Sequence, residues 1–296
     1  MTQDNNPLNP ILATSILTQG EHTIGYICYR QFINDFGDNS GIYKKELMQV
    51  FSSFREAGIS DLVVDLRYNT GGDLRLSVDL GSLMVPRTSD SLQVAVKVEY
   101  NDKLNKAYKA LGLVPILYFN KDEDNCYVGD IIDKIVILTG PNTASSSEVL
   151  INMLLPYKQP ILIGTKTYGK NYGSQVFTSP NPEIKCVLQP ITMKVYNGAG
   201  HSDFENGFEP DYAIDELYYP MKPFGDKEEP LMSKALSVIC NAETRSVGIE
   251  KKQTLSEKLK PWKSSIDECS ELVEENIIPQ DVIKFVEQED NKYKVQ

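Results

Sequence analysis

Short apolar runs alternate with segments of helical periodicity along the first part of the chain. Runs of β-branched and aliphatic residues, which are typical of buried strands, lie at 60–67, 134–139 and 161–164, and an alternating segment predicts a further strand at 22–32. Apolar residues three and four positions apart predict helices at 42–57, 74–84 and 144–155. Strands and helices that alternate in this way favour an α/β fold.

The remaining segments are less regular. Residues 1–20 form an Asn- and Pro-rich stretch that predicts an extended lead-in, and a principal domain is expected over residues 21–242. The short strands and turns after residue 176 predict a smaller β-rich part of this domain. Residues 228–242 predict a helix, and the strongly charged residues 243–296 predict a helical tail.

The composition excludes several classes of protein. The 296 residues carry 41 acidic and 30 basic side chains, and the resulting net charge of −11 repels the phosphate backbone of nucleic acids. The two histidines, His22 and His201, are too few for a histidine-rich metal site. The five dispersed cysteines fit neither a zinc site nor a disulfide scaffold. We therefore expect no nucleic-acid partner and no metal.

Neither a membrane span nor a leader is recognisable in the sequence. No apolar run approaches the ~20 residues of a transmembrane helix. Residues 1–10 are polar and lack the basic and apolar regions of a signal peptide. These features predict either a cytoplasmic protein or the mature part of an exported one.

Residues 164–171, Gly-Thr-Lys-Thr-Tyr-Gly-Lys-Asn, nearly match the phosphate-binding loop G-x-x-x-x-G-K-[S/T]. The match fails at Asn171, which lacks the hydroxyl that would hold magnesium. The residues that follow form a poor helix start, whereas a phosphate loop needs a helix N-terminus behind it. We therefore expect no bound nucleotide.

Residues 143–148, Thr-Ala-Ser-Ser-Ser-Glu, open a helix directly after a buried strand. Ser145 and Glu148 have the spacing of a capping box, so a purely structural role is one interpretation. A nucleophile is the other, because the free N–H groups and the dipole of a helix N-terminus stabilise an oxyanion. No glycine flanks this serine, so the segment is not the Gly-x-Ser-x-Gly elbow of α/β hydrolases. Because histidines are scarce, a Ser-His-Asp triad is not expected, and a lysine could serve as the base if burial keeps it neutral by desolvation.

Four segments, taken in their order, resemble the carboxy-terminal processing (tail-specific) serine peptidases, which use a serine–lysine dyad. They are Asp-Leu-Arg-Tyr-Asn-Thr-Gly-Gly at 65–72, the serine segment at 143–148, Thr-Lys-Thr-Tyr-Gly-Lys at 165–170 and Asn-Gly-Phe-Glu-Pro-Asp at 206–211. They are similar to the family's D-L-R-x-N-x-G-G, S-A-S-A-S-E, catalytic-lysine and G-[IV]-x-P-D motifs. The resemblance implies an α/β core of stacked β-β-α units, related to the crotonase and Clp-protease folds.

The same resemblance implies the roles of individual residues. Ser145 is the expected nucleophile, and Lys170, 25 residues further along the chain, is the expected general base. Gln175 is expected to support the lysine, although one more residue separates the two than in the family pattern. The resemblance implies no metal or cofactor. The backbone N–H groups expected to form the oxyanion hole belong to Ser146 and to Gly72 or Gly71.

The implied function is that of an endopeptidase acting on proteins or peptides, near exposed apolar carboxy-terminal tails. The chain leaves no room for the PDZ domain of many members, so capture of substrates by such a module is not expected. Bacterial members are commonly exported, which favours the cell envelope. Two alternatives stay open: a non-catalytic protein of the same fold that binds apolar ligands or peptides, and a serine esterase or amidase. Nothing in the sequence predicts the oligomeric state.

Overall fold

The computed structural model describes residues 9–35, 37–88, 92–121, 125–178, 186–240, 281–282 and 284–286. The strands are β1 (Ile11–Gln19), β2 (His22–Tyr29), β3 (Asp61–Asp65), β4 (Val94–Tyr100), β5 (Ile116–Tyr118), β6 (Lys134–Thr139), β7 (Ile161–Gly164), β8 (Tyr172–Ser174), β9 (Phe177–Thr178), β10 (Val187–Leu188), β11 (Ile191–Asn197) and β12 (Tyr212–Ala213). The helices are α1 (Ile42–Glu56), α2 (Leu74–Met84), α3 (Asp102–Ala110), α4 (Ser146–Leu154) and α5 (Pro230–Ile239), with a 3₁₀ turn at Glu216–Tyr218.

The main sheet has six strands in the order β1-β2-β3-β6-β7-β12. Strands β2, β3, β6, β7 and β12 run parallel, and β1 pairs antiparallel with β2 at one edge. The expected lead-in over residues 1–20 therefore needs correction, because Ile11–Gln19 is a strand of this sheet. Its residues alternate between half-buried and exposed, as expected for an edge strand with one face against the protein. Residues 1–8 lie outside the described part.

Both faces of β3, β6 and β7 are buried, which explains why their sequences are mainly apolar. Successive side chains of a strand point to opposite faces, so Leu62 and Val64 of β3 pack in one core while Val63 packs in another. The first core contains buried residues of α1, α2 and α4. The second contains the apolar face of α5, including Met232 and Leu236.

A second, antiparallel sheet has the order β5-β4-β11-β8, and β9 pairs with β10 as a short hairpin. Helices α2 and α4 pack against each other, and both contact this sheet. The buried residues Met193 and Val195 of β11 contribute to the first core. The predicted α/β class with a smaller β-rich part is confirmed.

The expected helical tail over 243–296 lies almost entirely outside the described residues. Residues 281, 282 and 284–286 are helical, and Val282 is fully buried in the first core. Within the described ranges, no helix is both long and apolar enough to cross a bilayer.

Three parallel strands bring the expected site residues to one edge of the main sheet. Strand β3 leads into the loop at 66–72, β6 into the loop at 140–145, and β7 into the loop at 165–170. Because the carboxyl ends of neighbouring parallel strands meet at the same edge, these loops lie side by side. The carboxyl-end edge of the main sheet therefore carries the loops with the expected site residues.

Candidate active site

The loop after β3 is held by a buried ion-pair cluster. Arg67 is almost fully buried, and its guanidinium contacts Asp65 at 2.7 Å and Glu229, the N-cap of α5, at 2.9 Å. A third carboxylate, that of Glu216, pairs with the same guanidinium. These contacts explain the Asp-Leu-Arg part of the sequence motif structurally: they fix where the following glycine turn begins.

The glycine turn at Gly71 and Gly72 depends on the absence of side chains. Both residues have positive φ angles, 105° and 127°, which L side chains rarely adopt. A Cβ at Gly72 would lie 2.2 Å from the carbonyl oxygen of Phe32, and one at Gly71 would lie 2.7 Å from the Cβ of Ser145. The glycine turn therefore lies closer to the backbone of Phe32 and to Ser145 than any residue with a side chain would allow.

Asn69 joins the glycine turn to the serine loop. Its buried side chain donates to the carbonyl oxygen of Tyr29 at 2.9 Å and accepts from the N–H of Gly71 at 2.9 Å. Its carbonyl oxygen accepts from the N–H of Ala144 and from the hydroxyl of Ser147. The two loops therefore form one connected unit.

Ser145 has a strained backbone at the turn from β6 into α4. Its φ of 54° and ψ of −120° place a non-glycine residue in a sparsely populated region of backbone space. Its carbonyl oxygen accepts the first helical hydrogen bond, from Val149, and its N–H donates to Oε2 of Glu148. Strain of this kind persists only where the surroundings enforce it, and it concentrates at functional sites.

Two backbone N–H groups beside Ser145 are available to a ligand. The N–H groups of Gly72 and Ser146 form no hydrogen bond with any residue that the structure describes, and both residues line the same pocket. The hydroxyl of Ser146 donates to the carbonyl oxygen of Gly72 at 2.6 Å, which ties the two together. Of the two expected glycine donors, Gly71 already donates its N–H to the Asn69 side chain in this conformation, whereas the N–H of Gly72 is free among the described residues.

Glu148 connects the serine loop to the lysine loop. Its carboxylate is fully buried and accepts four hydrogen bonds. One oxygen accepts from the hydroxyl of Thr167 at 2.6 Å and the N–H of Gly169 at 2.7 Å. The other accepts from the N–H of Lys170 at 2.7 Å and the N–H of Ser145 at 3.1 Å. Burial raises the pKa of Glu148, and these hydrogen bonds oppose the increase by stabilising the charged form.

Sequence reasoning underestimated Glu148 and did not identify Asn69. It treated Glu148 only as the third residue of a capping box, whereas the carboxylate also holds the backbone of the loop after β7. The available signal was its place at the end of the Thr-Ala-Ser-Ser-Ser-Glu segment, where a buried carboxylate needs several donors to be tolerated. The signal for Asn69 was its place in the Asp-Leu-Arg-Tyr-Asn-Thr-Gly-Gly segment, two residues before Gly71.

Ser145 and Lys170 line one pocket of about 410 Å³. Lys170 is half-buried, less enclosed than expected for a neutral amine. Among the hydrogen bonds of the described residues, none joins the Ser145 hydroxyl to the Lys170 amine. His201, one of the two histidines, is exposed beside Asp203 and does not line the pocket.

Gln175 is buried but does not line the pocket, unlike its neighbour Val176. Both the nitrogen and the oxygen of its side-chain amide lack a hydrogen-bond partner within the described structure. A buried amide without partners is costly, and it is available to a group that moves close to it. No hydrogen bond joins Gln175 to Lys170 among the described residues.

The segment that resembled a phosphate loop ends in a strand. Residues 164–171 run from the end of β7 into β8, and no helix follows them directly. A helix N-terminus that could hold a phosphate is therefore missing from this segment, as expected from the sequence.

The site combines a strained serine at a strand-to-helix turn, two free backbone N–H groups beside it and a lysine in the same pocket. A sequence model of Peptidase family S41 matches residues 23–214. The chain therefore belongs to peptidase family S41, a family of serine peptidases, and the resemblance predicted from the sequence is confirmed.

Individual relatives agree with this assignment. The carboxyl-terminal-processing protease of Picosynechococcus sp. is 26% identical over 227 residues, which cover 76% of this chain and 46% of that protein. A probable CtpA-like serine protease of Staphylococcus haemolyticus is 27% identical over 77% of this chain and 38% of its own length. The chain thus spans less than half the length of these curated relatives.

Solved structures show the same fold. A candidate S41 protease of Bacteroides fragilis superimposes with a TM-score of 0.70 at 29% identity, over 79% of this chain and 58% of that one. A photosystem II D1 C-terminal processing protease matches with a TM-score of 0.52 at 19% identity, over 77% of this chain and 53% of that one. The second likeness concerns the fold alone.

Proposed function

We propose that this protein is a serine endopeptidase in which Ser145 is the nucleophile and Lys170 the general base. The observation that carries the proposal is the strained backbone of Ser145, which directs a serine into a pocket shared with Lys170 and with the free N–H groups of Gly72 and Ser146. Strain is retained at a position where function requires it.

The reaction begins when a neutral Lys170 amine accepts the proton of the Ser145 hydroxyl. The serine oxygen attacks the carbonyl carbon of the scissile bond, and the negative charge develops on the carbonyl oxygen. The N–H groups of Gly72 and Ser146 donate to that oxygen, and one such donor typically lowers the barrier by about 3 kcal/mol.

The second half of the reaction returns the proton and releases the product. The Lys170 ammonium protonates the leaving amine, so the peptide bond breaks and an acyl-enzyme forms on Ser145. The neutral Lys170 amine then removes a proton from water, and the water oxygen attacks the ester carbon. The Lys170 ammonium returns that proton to the serine oxygen as the ester bond breaks, which releases the acid product and regenerates the serine. No step needs a metal or an organic cofactor.

Lys170 has to move towards Ser145 before proton transfer, because the two side chains are not hydrogen-bonded in this conformation. We assign Gln175 the supporting role: the oxygen of its unpartnered amide would accept a hydrogen bond from the Lys170 amine when that amine approaches it. The half-buried position of Lys170 is consistent with desolvation by the substrate rather than by the protein alone.

The substrates proposed are proteins or peptides, cleaved near apolar segments such as carboxy-terminal tails. Apolar side chains of the pocket, including Val149, Met193 and Val195, support this choice. A non-catalytic binding protein would not need the strained backbone of Ser145, and no observation favours this alternative. Location in the cell envelope stays a prediction that cell fractionation would test.

A digest of a peptide library, with free and amidated carboxyl termini, tests the proposal. Mass spectrometry should find products from the parent and none from Ser145→Ala. Hydrolysis of p-nitrophenyl esters without cleavage of any peptide would instead identify an esterase. A preference for free over amidated termini would support action at carboxy-terminal tails.

A further inference from the structure

Two segments of contrasting chemistry bound the active-site pocket. One is the loop from Asn34 to Gly41, whose lining residues are polar and include Asp35. The other consists of β8, the residues after it, and the residues from Gln189 to Val195. The second segment continues outside the pocket as a group of exposed apolar side chains.

We name this group the apolar rim. The side chains of Val187, Leu188 and Ile191 are 64%, 65% and 68% exposed, far more than is usual for three large aliphatic residues so close in sequence. The rim also includes two partly exposed aromatic residues. The five residues of the apolar rim are Tyr172, Phe177, Val187, Leu188 and Ile191.

The apolar rim is continuous with the pocket. Tyr172 belongs to both, and Phe177 follows the lining residue Val176. Leu188 precedes the lining residue Gln189, whose side chain donates to the hydroxyl of Ser174 at 3.1 Å.

Pairing between strands extends this continuity. Ile191 pairs with Ser174, which lines the pocket, and Leu188 pairs with Phe177 across the hairpin of β9 and β10. Each residue of the apolar rim therefore either lines the pocket itself or is adjacent, along the chain or across a strand pair, to a residue of the pocket or of the rim. A polypeptide that leaves the pocket on this side must cross the rim.

We propose that the apolar rim is a second binding surface for the substrate chain, which takes up apolar side chains several residues away from the scissile bond. This inference rests on the proposed function and deepens it. Exposed apolar surface that adjoins a pocket marks a binding surface for an apolar partner. The occupant is the substrate itself, because the rim is continuous with the pocket that holds the reacting bond.

The experiment compares two variants of matched exposure. Leu188→Ser combined with Ile191→Ser removes the centre of the rim. The control combines Val114→Ser with Leu217→Ser, which are 66% and 69% exposed and do not line the pocket. Val114 precedes β5, at the opposite edge of the antiparallel sheet from β8. Because all four side chains are mostly exposed, none of the substitutions opens a core cavity.

The probes are three quenched fluorescent peptides built on one cleavable core sequence from the library digest. The first is the core alone, the second carries Leu/Val-rich extensions on both sides, and the third carries Ser/Gly extensions of equal length. Binding of the same peptides to inactive Ser145→Ala protein, in each background, is measured by fluorescence anisotropy. If the parent cleaves no peptide, the same three designs are built on an unstructured core sequence of Ala, Gly and Leu and are used only to measure affinity.

We expect the parent to favour the Leu/Val-extended peptide over the core in kcat/KM and in affinity by about tenfold, as partial burial of a few side chains supports. The rim variant should lose this preference, the control should keep it, and the Ser/Gly extension should gain nothing. An equal preference in rim variant and parent would overturn the inference. So would a parent dimer, seen by sedimentation, that only the rim substitutions dissociate, because the rim would then bind a second copy. Absence of any cleavage would contradict the proposed function alone, since the affinity comparison would still decide on the rim.

Discussion

Replacing Glu148 by glutamine changes a single atom at the point where the serine and lysine loops meet. The carboxylate accepts four hydrogen bonds, two on each oxygen. A glutamine keeps one accepting oxygen, while its NH₂ group faces two N–H or O–H donors and can accept from neither. Both hydrogen bonds of one oxygen are lost if the NH₂ group faces Ser145 and Lys170, and one is lost if it faces Thr167 and Gly169, because the Thr167 hydroxyl can rotate and accept. In either case at least one loop has to move.

The size of the effect follows from this count. A hydrogen bond to a charged group contributes about 1.5–3 kcal/mol, so one or two lost bonds cost about 1.5–6 kcal/mol. The neutral amide avoids the burial of a charge, which is the reason for the raised pKa of Glu148, and this recovers part of the cost. We expect a net loss of about 3 kcal/mol, or a fall in Tm of about 6–12 °C for a protein of this size.

The effect on turnover should exceed the effect on binding. Displacement of a reacting group by about 1 Å costs on the order of 100-fold in rate, and Glu148 holds the backbones of both Ser145 and Lys170. Glu148→Gln should lower kcat by about that factor and change KM little. Steady-state kinetics below the Tm of the variant, with differential scanning calorimetry, would measure both quantities. The control is Glu56→Gln, a change to an exposed glutamate at the end of α1.

The reasoning would be refuted by a Glu148→Gln protein that melts within about 1 °C of the parent and retains its kcat. In that case the four hydrogen bonds would not be what aligns the two loops. A large loss of stability with unchanged kcat would also contradict the account, because the carboxylate would then support the fold without positioning the reacting groups.

Three further predictions concern the same site. The folded pKa of Glu148 lies above its unfolded value, so ionisation of this carboxyl costs stability. The free energy of unfolding of the parent, minus that of Glu148→Gln, should therefore fall as the pH rises from about 4.5 through the folded pKa. Urea titrations of both proteins over this pH range would measure the difference. Gly71→Ala should lower kcat/KM by about 100-fold, since its Cβ would lie 2.7 Å from the Cβ of Ser145, and a variant as active as the parent would move the site elsewhere. Lys170→Arg should be inactive, since a guanidinium cannot accept a proton, and the folded state of this variant can be checked by circular dichroism; substantial activity would make the lysine an electrostatic helper only.

Buried elements were predictable because their patterns are strict. Strand β6 occupies 134–139 and α2 occupies 74–84, the same residues that the apolar patterns indicated. A strand that is buried on both faces has to be apolar throughout, and a core-facing helix has to repeat its apolar residues at fixed intervals. The sequence alone therefore contains both signals.

Strand β1 was missed because the composition of its surroundings concealed it. Asn and Pro residues at 5–10 suggested an extended lead-in, although Ile11–Gln19 alternates between half-buried and exposed positions. Its partner β2 satisfies the backbone hydrogen bonds along one side of β1, and this pairing depends on tertiary structure that local sequence does not contain.

The site was predictable as a set of motifs and less so as a network. The sequence indicated Ser145, Lys170, Gly72 and Ser146, which all line one pocket. That the N–H of Gly71 is occupied while the N–H of Gly72 is free depends on a side-chain contact from Asn69, and no spacing rule expresses such a contact.

Labelling with a fluorophosphonate probe, mapped by tandem mass spectrometry, tests the central claim most directly. The probe should form one adduct, on Ser145, and the adduct should disappear in Ser145→Ala. The matched control is Ser147→Ala, because the Ser147 hydroxyl is fully buried and donates to the carbonyl oxygen of Asn69 at 3.0 Å. The account predicts that Ser147→Ala is labelled like the parent. An adduct that persists in Ser145→Ala, or a folded parent that is never labelled, would contradict the assignment of Ser145 as the nucleophile.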